Sequence, residues 1–251
     1  SRGIGRSICI GLAEAGAKVI VTSRTEEDES SGTEFAKYGS GTIHDTARLI
    51  SHKGGEAHSI RCDVSRSEDI QGLVSGTVER FGRIDMVVSN AGVDCEAAVP
   101  DLDIDLLDQC LAVNIRAPLL LCKFVLPVMI SQDTGGSIFG VTSGAAKAYR
   151  EGRVAYSMSK AALERMFINL AEEVRPHNIA VNLLSPGRVD TWMNRRGDWP
   201  GTAHIPMVHP DVVIPSATWL AAQTAQTFTG QVVERGEFSI SWGEGIANSS
   251  W

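Results

Sequence analysis

Short apolar runs alternate with longer helical patterns along the whole chain, and that alternation restricts the fold more than any single motif. Strand-like segments occur at Lys18–Thr22, Ala57–Cys62, Ile84–Ser89, Ser137–Thr142, Ile179–Leu184 and Gln231–Glu234. Helix-like segments lie between them, at Arg6–Ala15, Ile43–His52, Glu68–Phe81, Ile104–Ile130, Val154–Arg175 and Asp211–Ala222. A strand that is apolar on both faces must be covered on both faces, and strands joined through helices run parallel. The pattern predicts an α/β fold: a doubly wound parallel sheet with helices on both faces and right-handed crossovers.

A chain of 251 residues suits one domain, spanning 1–251, with a sizeable core. The net charge of −7, with no long basic run, argues against nucleic acid or an anionic membrane surface as a partner. The longest apolar stretch, Ala117–Ile130, is interrupted by Lys123 and Pro127, so no membrane span is expected. Five scattered cysteines include no Cys-x-x-Cys pair, and the six histidines show no metal-ligand spacing. No metal site is predicted, and a reducing, cytoplasmic setting fits the thiols.

Tyr156 and Lys160 stand one helical turn apart in Ala155-Tyr156-Ser157-Met158-Ser159-Lys160. Residues four apart share a helix face, so an ammonium lies beside a phenol. A free phenol, with a pKa of about 10, is a poor acid–base group at neutral pH. A neighbouring cation favours the phenolate, which suits a tyrosine that exchanges a proton with a substrate oxygen. Taken alone, the same spacing arises often on exposed helices.

The remaining motifs change that weighting. Gly3-Ile4-Gly5 precedes the first helix, Asn90-Ala91-Gly92 closes a strand, and Asn114 lies in the following helix. Ser143 ends a strand thirteen residues before Tyr156, and Pro186-Gly187 ends another. In this order and at these intervals the chain resembles the short-chain dehydrogenase/reductase family, from Ser1 to about Gly236. The resemblance implies a Rossmann-type fold and hydride transfer between a nicotinamide and a carbonyl or alcohol. It implies that Ser143 orients the substrate carbonyl and that Tyr156 is the proton donor or acceptor. Lys160 would bond the nicotinamide ribose and depress the phenol pKa, while Asn114 would hold a water linking Lys160 to solvent. Homodimers or homotetramers are common in the family.

Gly3, Ile4 and Gly5 form the turn that lets backbone approach a pyrophosphate, at the N-terminus of a helix whose dipole favours the anion. The second-strand position that carries an acidic residue in NAD enzymes is occupied here by Ser23-Arg24, and Arg2 precedes Gly3. Guanidinium groups suit a phosphate, so the expected cofactor is NADP(H), with Arg2 and Arg24 on the 2′-phosphate and Ser23 assisting. The resemblance places Asp63-Val64 at the adenine, although Asp63 reads equally well as a cap of the next helix. It places Asn90, Ala91 and Gly92 beneath the cofactor, and Pro186, Gly187, Val189 and Thr191 at its nicotinamide end.

Substrate-pocket candidates are Ala145, Tyr149, Val154, Val189, Trp192 and Met193, with Arg150, Glu151 and Arg188 able to meet a polar group. The segment at 188–210 resembles a substrate lid. The chain opens on Ser1-Arg2-Gly3 in mid-turn, so a preceding strand in a longer gene product is expected. The polar stretch Thr25–Thr42 is longer than usual for the family and predicts a surface loop beside the 2′-phosphate site; Phe238–Trp242 predicts an extension of an oligomer contact. The alternatives are a non-catalytic NADP(H)-binding regulatory protein and a structural protein whose long helices are oligomer faces. The intact set Asn114, Ser143, Tyr156 and Lys160 argues against both.

Overall fold

The computed structural model describes residues 2–24, 26, 41–196 and 205–246. Most of the 25–42 stretch and the centre of the expected lid, 197–204, lie outside these residues, as does Ser1.

The chain runs α1 (Gly3–Glu14), β1 (Val19–Ser23), α2 (Ile43–His52), β2 (Ala57–Arg61), α3 (Ser67–Phe81) and β3 (Met86–Ser89). It continues through α4 (Ile104–Leu111), α5 (Ala117–Ser131), β4 (Gly136–Val141), α6 (Val154–Val174) and β5 (Ile179–Ser185). The last elements are α7 (Trp192–Arg196), α8 (Ile214–Ala221) and β6 (Val232–Glu234). Every strand pairing is parallel, as the alternation predicts.

Among the described residues the sheet falls into two hydrogen-bonded pieces, β1–β2 and β3–β4–β5–β6. The expected continuous sheet is therefore divided between β1 and β3. The two pieces nonetheless share one apolar layer, in which Val19 and Val21 of β1 and Met86 and Val88 of β3 pack with Ile8 and Leu12 of α1. All seven residues of β5 are buried, which marks it as an interior strand and explains why its sequence does not alternate. Helices α3, α5 and α6 supply Val74, Val125 and Phe167 to the layer on the opposite face. The architecture is Rossmann-like, with helices on both sides of parallel strands.

Three expectations need correction. The helix expected over Ile104–Ile130 contains a five-residue π turn, Ala112–Arg116, between α4 and α5. The whole run Ile104–Ser131 is helical through Lys123 and Pro127, so by length and composition it does reach a membrane span. Here Cys122, Val125 and Met129 are instead buried in the core with β4 and β5. Lastly, Trp242 faces inward, edge-on to Trp219 at 5.8 Å and stacked near Phe228 at 6.2 Å. Its indole N–H donates to the Glu234 carbonyl at 2.8 Å. The aromatic residues of Phe238–Trp242 thus close the core, while Ser239, Ile240 and Ser241 are exposed, Ile240 at 70%.

Candidate active site

The carboxyl ends of β3, β4 and β5 and the N-terminus of α1 converge on one region, where an open parallel sheet binds its ligands. The backbone there leaves room for a dinucleotide. A Cβ on Gly5 would meet the Asn90 side-chain amide at 2.7 Å, so α1 approaches the end of β3 closely there. Arg2 caps α1 without a side-chain hydrogen bond to its amides, which leaves the first turn available to an anion. Gly3 lies against Thr191, whose methyl carbon would be 3.2 Å from an added Cβ. A Cβ on Gly92 would be 3.5 Å from both Asn114 Oδ1 and Lys160 Nζ. This cradle of glycines and unshared amides fits a nicotinamide dinucleotide.

The four predicted catalytic residues come together around this cradle. Tyr156 and Lys160 lie near the start of α6 and are buried, with Lys160 Nζ 5.8 Å from the phenol ring centre. Lys160 donates to the Val141 carbonyl at 3.0 Å. Ser143, just past β4, lies near enough to the Tyr156 phenol to favour its ionised form, and its Oγ accepts from Ala145 N at 3.2 Å. Asn114 sits in the π turn, 1% exposed. Such a turn places a side chain off the regular helical register and is common at functional sites. Asn114 Oδ1 accepts from Val93 N at 2.9 Å, and Nδ2 donates to Val93 O at 2.9 Å and to Ser159 Oγ at 3.0 Å. Its amide is therefore spent on protein partners, clamping the segment after β3 to α6.

The electrostatics differ from the sequence expectation. Burial pushes the Tyr156 phenol up to about 12, and the main opposing charge is Arg153, with Ser143 also lowering it and Asp94 raising it. Burial also pulls the Lys160 ammonium down to about 8, with Cys110 and Glu164 resisting. Lys160 is thus not the cation that chiefly favours the phenolate: desolvation weakens its own charge. Arg153 and Asp94 were not singled out from the sequence. The available signal was an arginine three residues before Tyr156, on the adjoining helical face.

The model of the short chain dehydrogenases matches residues 1–198. This chain belongs to that family. A short chain dehydrogenase/reductase of Aspergillus oryzae is 32% identical over 243 residues, covering 92% of this chain and 88% of its own. The solved structure of a metagenomic short-chain oxidoreductase in complex with NADP superposes with a TM-score of 0.74 at 30% identity, covering 93% of this chain and 92% of that one. An NADH-dependent reductase complexed with NAD shares the fold at a TM-score of 0.76 and 22% identity, over 98% of this chain and 92% of that one. The present short chain dehydrogenase is thus an oxidoreductase of a family that binds a nicotinamide cofactor.

The other predicted contacts of this dehydrogenase are spread along the same sheet edge. Arg24 is exposed just past β1, and its charge reaches Asp63 beyond β2. Partial burial works against ionisation of Asp63, yet hydrogen bonds from Ser65 and the charges of Arg24 and Arg61 hold its carboxyl below the usual carboxylate range. Asp63 thus closes the Ser65 turn, and Arg66 occupies the cap of α3. Val64 packs against Ile70. The Arg2 guanidinium lies over the Trp192 ring at 5.2 Å. Pro186 is buried and accepts from Arg235 Nε at 2.8 Å. Val189 is fully buried in the core, with its N–H donating to the Gly187 carbonyl and its carbonyl accepting from Asn194 Nδ2. Among the pocket candidates Ala145 is buried, whereas Tyr149 and Val154 are exposed at 85% and 58%. Trp192 and Met193 open α7, with the Thr191 hydroxyl accepting from Asn194 N at 3.3 Å.

Proposed function

We propose that this chain is an NADP(H)-dependent oxidoreductase that interconverts a carbonyl and an alcohol, with Tyr156 as proton donor and acceptor. The observation that carries this reading is the buried Tyr156 phenol one turn from the buried Lys160 ammonium, next to the glycine cradle where Gly92 approaches Asn114 and Lys160. In reduction, Ser143 donates to the substrate oxygen and fixes its position. Tyr156 then gives that oxygen its proton, a positioned transfer worth roughly 10²–10⁴-fold. Lys160 holds the nicotinamide ribose and returns a proton to the phenol. Asn114 keeps Val93 and Ser159 fixed behind them. The bound cofactor supplies the hydride.

Gly3, Ile4, Gly5 and the first amides of α1 would hold the pyrophosphate. Arg24 and Ser23 would meet the 2′-phosphate, Arg2 reaching it from its place over Trp192. Asp63 and Val64 would flank the adenine, Asn90, Ala91 and Gly92 the adjoining ribose, and Pro186, Gly187, Val189 and Thr191 the nicotinamide. A charged guanidinium where NAD enzymes hold a carboxylate is what favours NADP(H).

The exposed apolar side chains Leu119 on α5 and Val154 and Met158 on α6 support pairing with a second copy as a homodimer or homotetramer. All five cysteines are free thiols, which supports a reducing, cytoplasmic setting. The test is consumption of NADPH with a panel of ketones, quinones and β-ketoacyl thioesters. Turnover of at least one, faster with NADPH than with NADH, is the expected result. NADPH binding without turnover of any would instead identify a non-catalytic regulatory protein.

A further inference from the structure

The loop after β3 and the loop before α6 are joined by a buried ion pair that the catalytic reading does not use. Arg153 caps α6, is 8% exposed, and forms an ion pair with Asp94 through its terminal guanidinium nitrogen. The Asp94 carboxylate also accepts from Cys95 N at 2.9 Å, and Ala97 N donates to the Gly152 carbonyl at 2.8 Å. The two loops are therefore tied together at two points, the Arg153–Asp94 ion pair and the Ala97–Gly152 hydrogen bond. The guanidinium carbon lies 4.4 Å from the Tyr156 ring centre, closer than the Lys160 ammonium at 5.8 Å.

We propose that Arg153, locked by Asp94, is a positioning residue for Tyr156, holding the ring by its face and stabilising negative charge on the phenol oxygen. This rests on the reading of Tyr156 as the proton relay. A guanidinium suits the task better than an ammonium. It stays charged when buried, stacks on an aromatic face and keeps donors for a carboxylate. Lys160, drawn down toward neutrality by burial, does not provide a constant charge in the same way. The groups facing the phenol are Arg153 and Lys160 from α6, Asp94 from the loop after β3, Cys110 from α4 and Ser143 from the end of β4. Of these, Arg153 and Asp94 act with opposite sign, so the pair sets the charge on the phenol as well as its place.

The opposite signs give the test. Protein labelled with difluorotyrosine, whose phenol is intrinsically more acidic, titrates while still folded and is followed by fluorine NMR. The Tyr156 resonance is assigned by its loss in Tyr156→Phe. Arg153→Gln should raise its midpoint by about one pH unit or more, whereas Arg153→Lys should restore most of the shift. Asp94→Asn should lower the midpoint. Should Arg153→Gln fail to fold, Asp94→Asn alone decides. A midpoint unchanged from the parent, in whichever variant folds, overturns the proposal. Shifted midpoints in a protein that reduces no carbonyl compound uphold this positioning and remove the hydride-transfer reading. Turnover with unshifted midpoints does the reverse.

Discussion

Lys160 Nζ donates a 3.0 Å hydrogen bond to the Val141 carbonyl, tying α6 to the last residue of β4 through a buried ammonium. Burial pulls that ammonium from 10.5 to about 8. Between those values the unfolded chain holds the proton and the folded chain does not, so this group makes stability rise with pH across that window. Below it, the folded protein carries a charge at a desolvation cost. Lys160→Met is therefore expected to be more stable than the parent near pH 7, with the gap closing toward about pH 10, although it turns over no substrate. Urea midpoints at the two pH values check this. A variant less stable than the parent at both would contradict it.

Asn114 satisfies both backbone groups of Val93 at 2.9 Å each. Asn114→Ala leaves them without a partner beside the π turn, and a buried polar group so stranded costs about 1–3 kcal/mol. The denaturation midpoint should fall accordingly. Turnover should fall as well, since Val93 and Ser159 lose their common support.

The helices and strands were legible because their signals are local and repeat. Ile43–His52 is helical over the predicted residues, and its Thr42 and Asp45 form a reciprocal cap. Ile179–Ser185, predicted one residue shorter, is a fully buried strand. Tyr156, Lys160, Ser143 and Asn114 were legible through the resemblance to the family that their order and intervals carry, and the fold does bring them together. What spacing cannot show is desolvation. Nothing in Tyr156-x-x-x-Lys160 says that both groups are buried, so the sign of the phenol shift came out reversed. The Asp94–Arg153 pair joins residues far apart in the chain and carries no periodic signal. The π turn at Asn114 was missed because one extra residue in a turn barely disturbs a helical pattern.

In the proposed reading, Arg2 and Arg24 favour NADPH over NADH. Replacing both with alanine removes two charge-assisted contacts of about 1.5–3 kcal/mol each at most. NADPH binding should weaken by roughly two orders of magnitude or more, with NADH binding changed by less than about threefold. Equal losses for the two cofactors, measured by fluorescence titration, would show that neither guanidinium meets the 2′-phosphate.

Gly5→Ala puts a methyl group 2.7 Å from the Asn90 amide nitrogen. The Asn90 side-chain amide must shift, altering the proposed floor of the cofactor site. Cofactor affinity should drop about tenfold, equivalent to roughly 1.4 kcal/mol, while the thermal midpoint changes little. Unaltered affinity would remove the glycine turn from the binding site.

The most direct measurement is on Tyr156→Phe, which deletes one hydroxyl and leaves the buried ring in place. NADPH affinity, followed by quenching of protein fluorescence, should match the parent within about twofold, and turnover of any carbonyl compound the parent reduces should fall by roughly 10²–10⁴-fold. A Tyr156→Phe protein that binds NADPH and reduces the same compound at the parental rate would contradict the account of this residue as the proton relay.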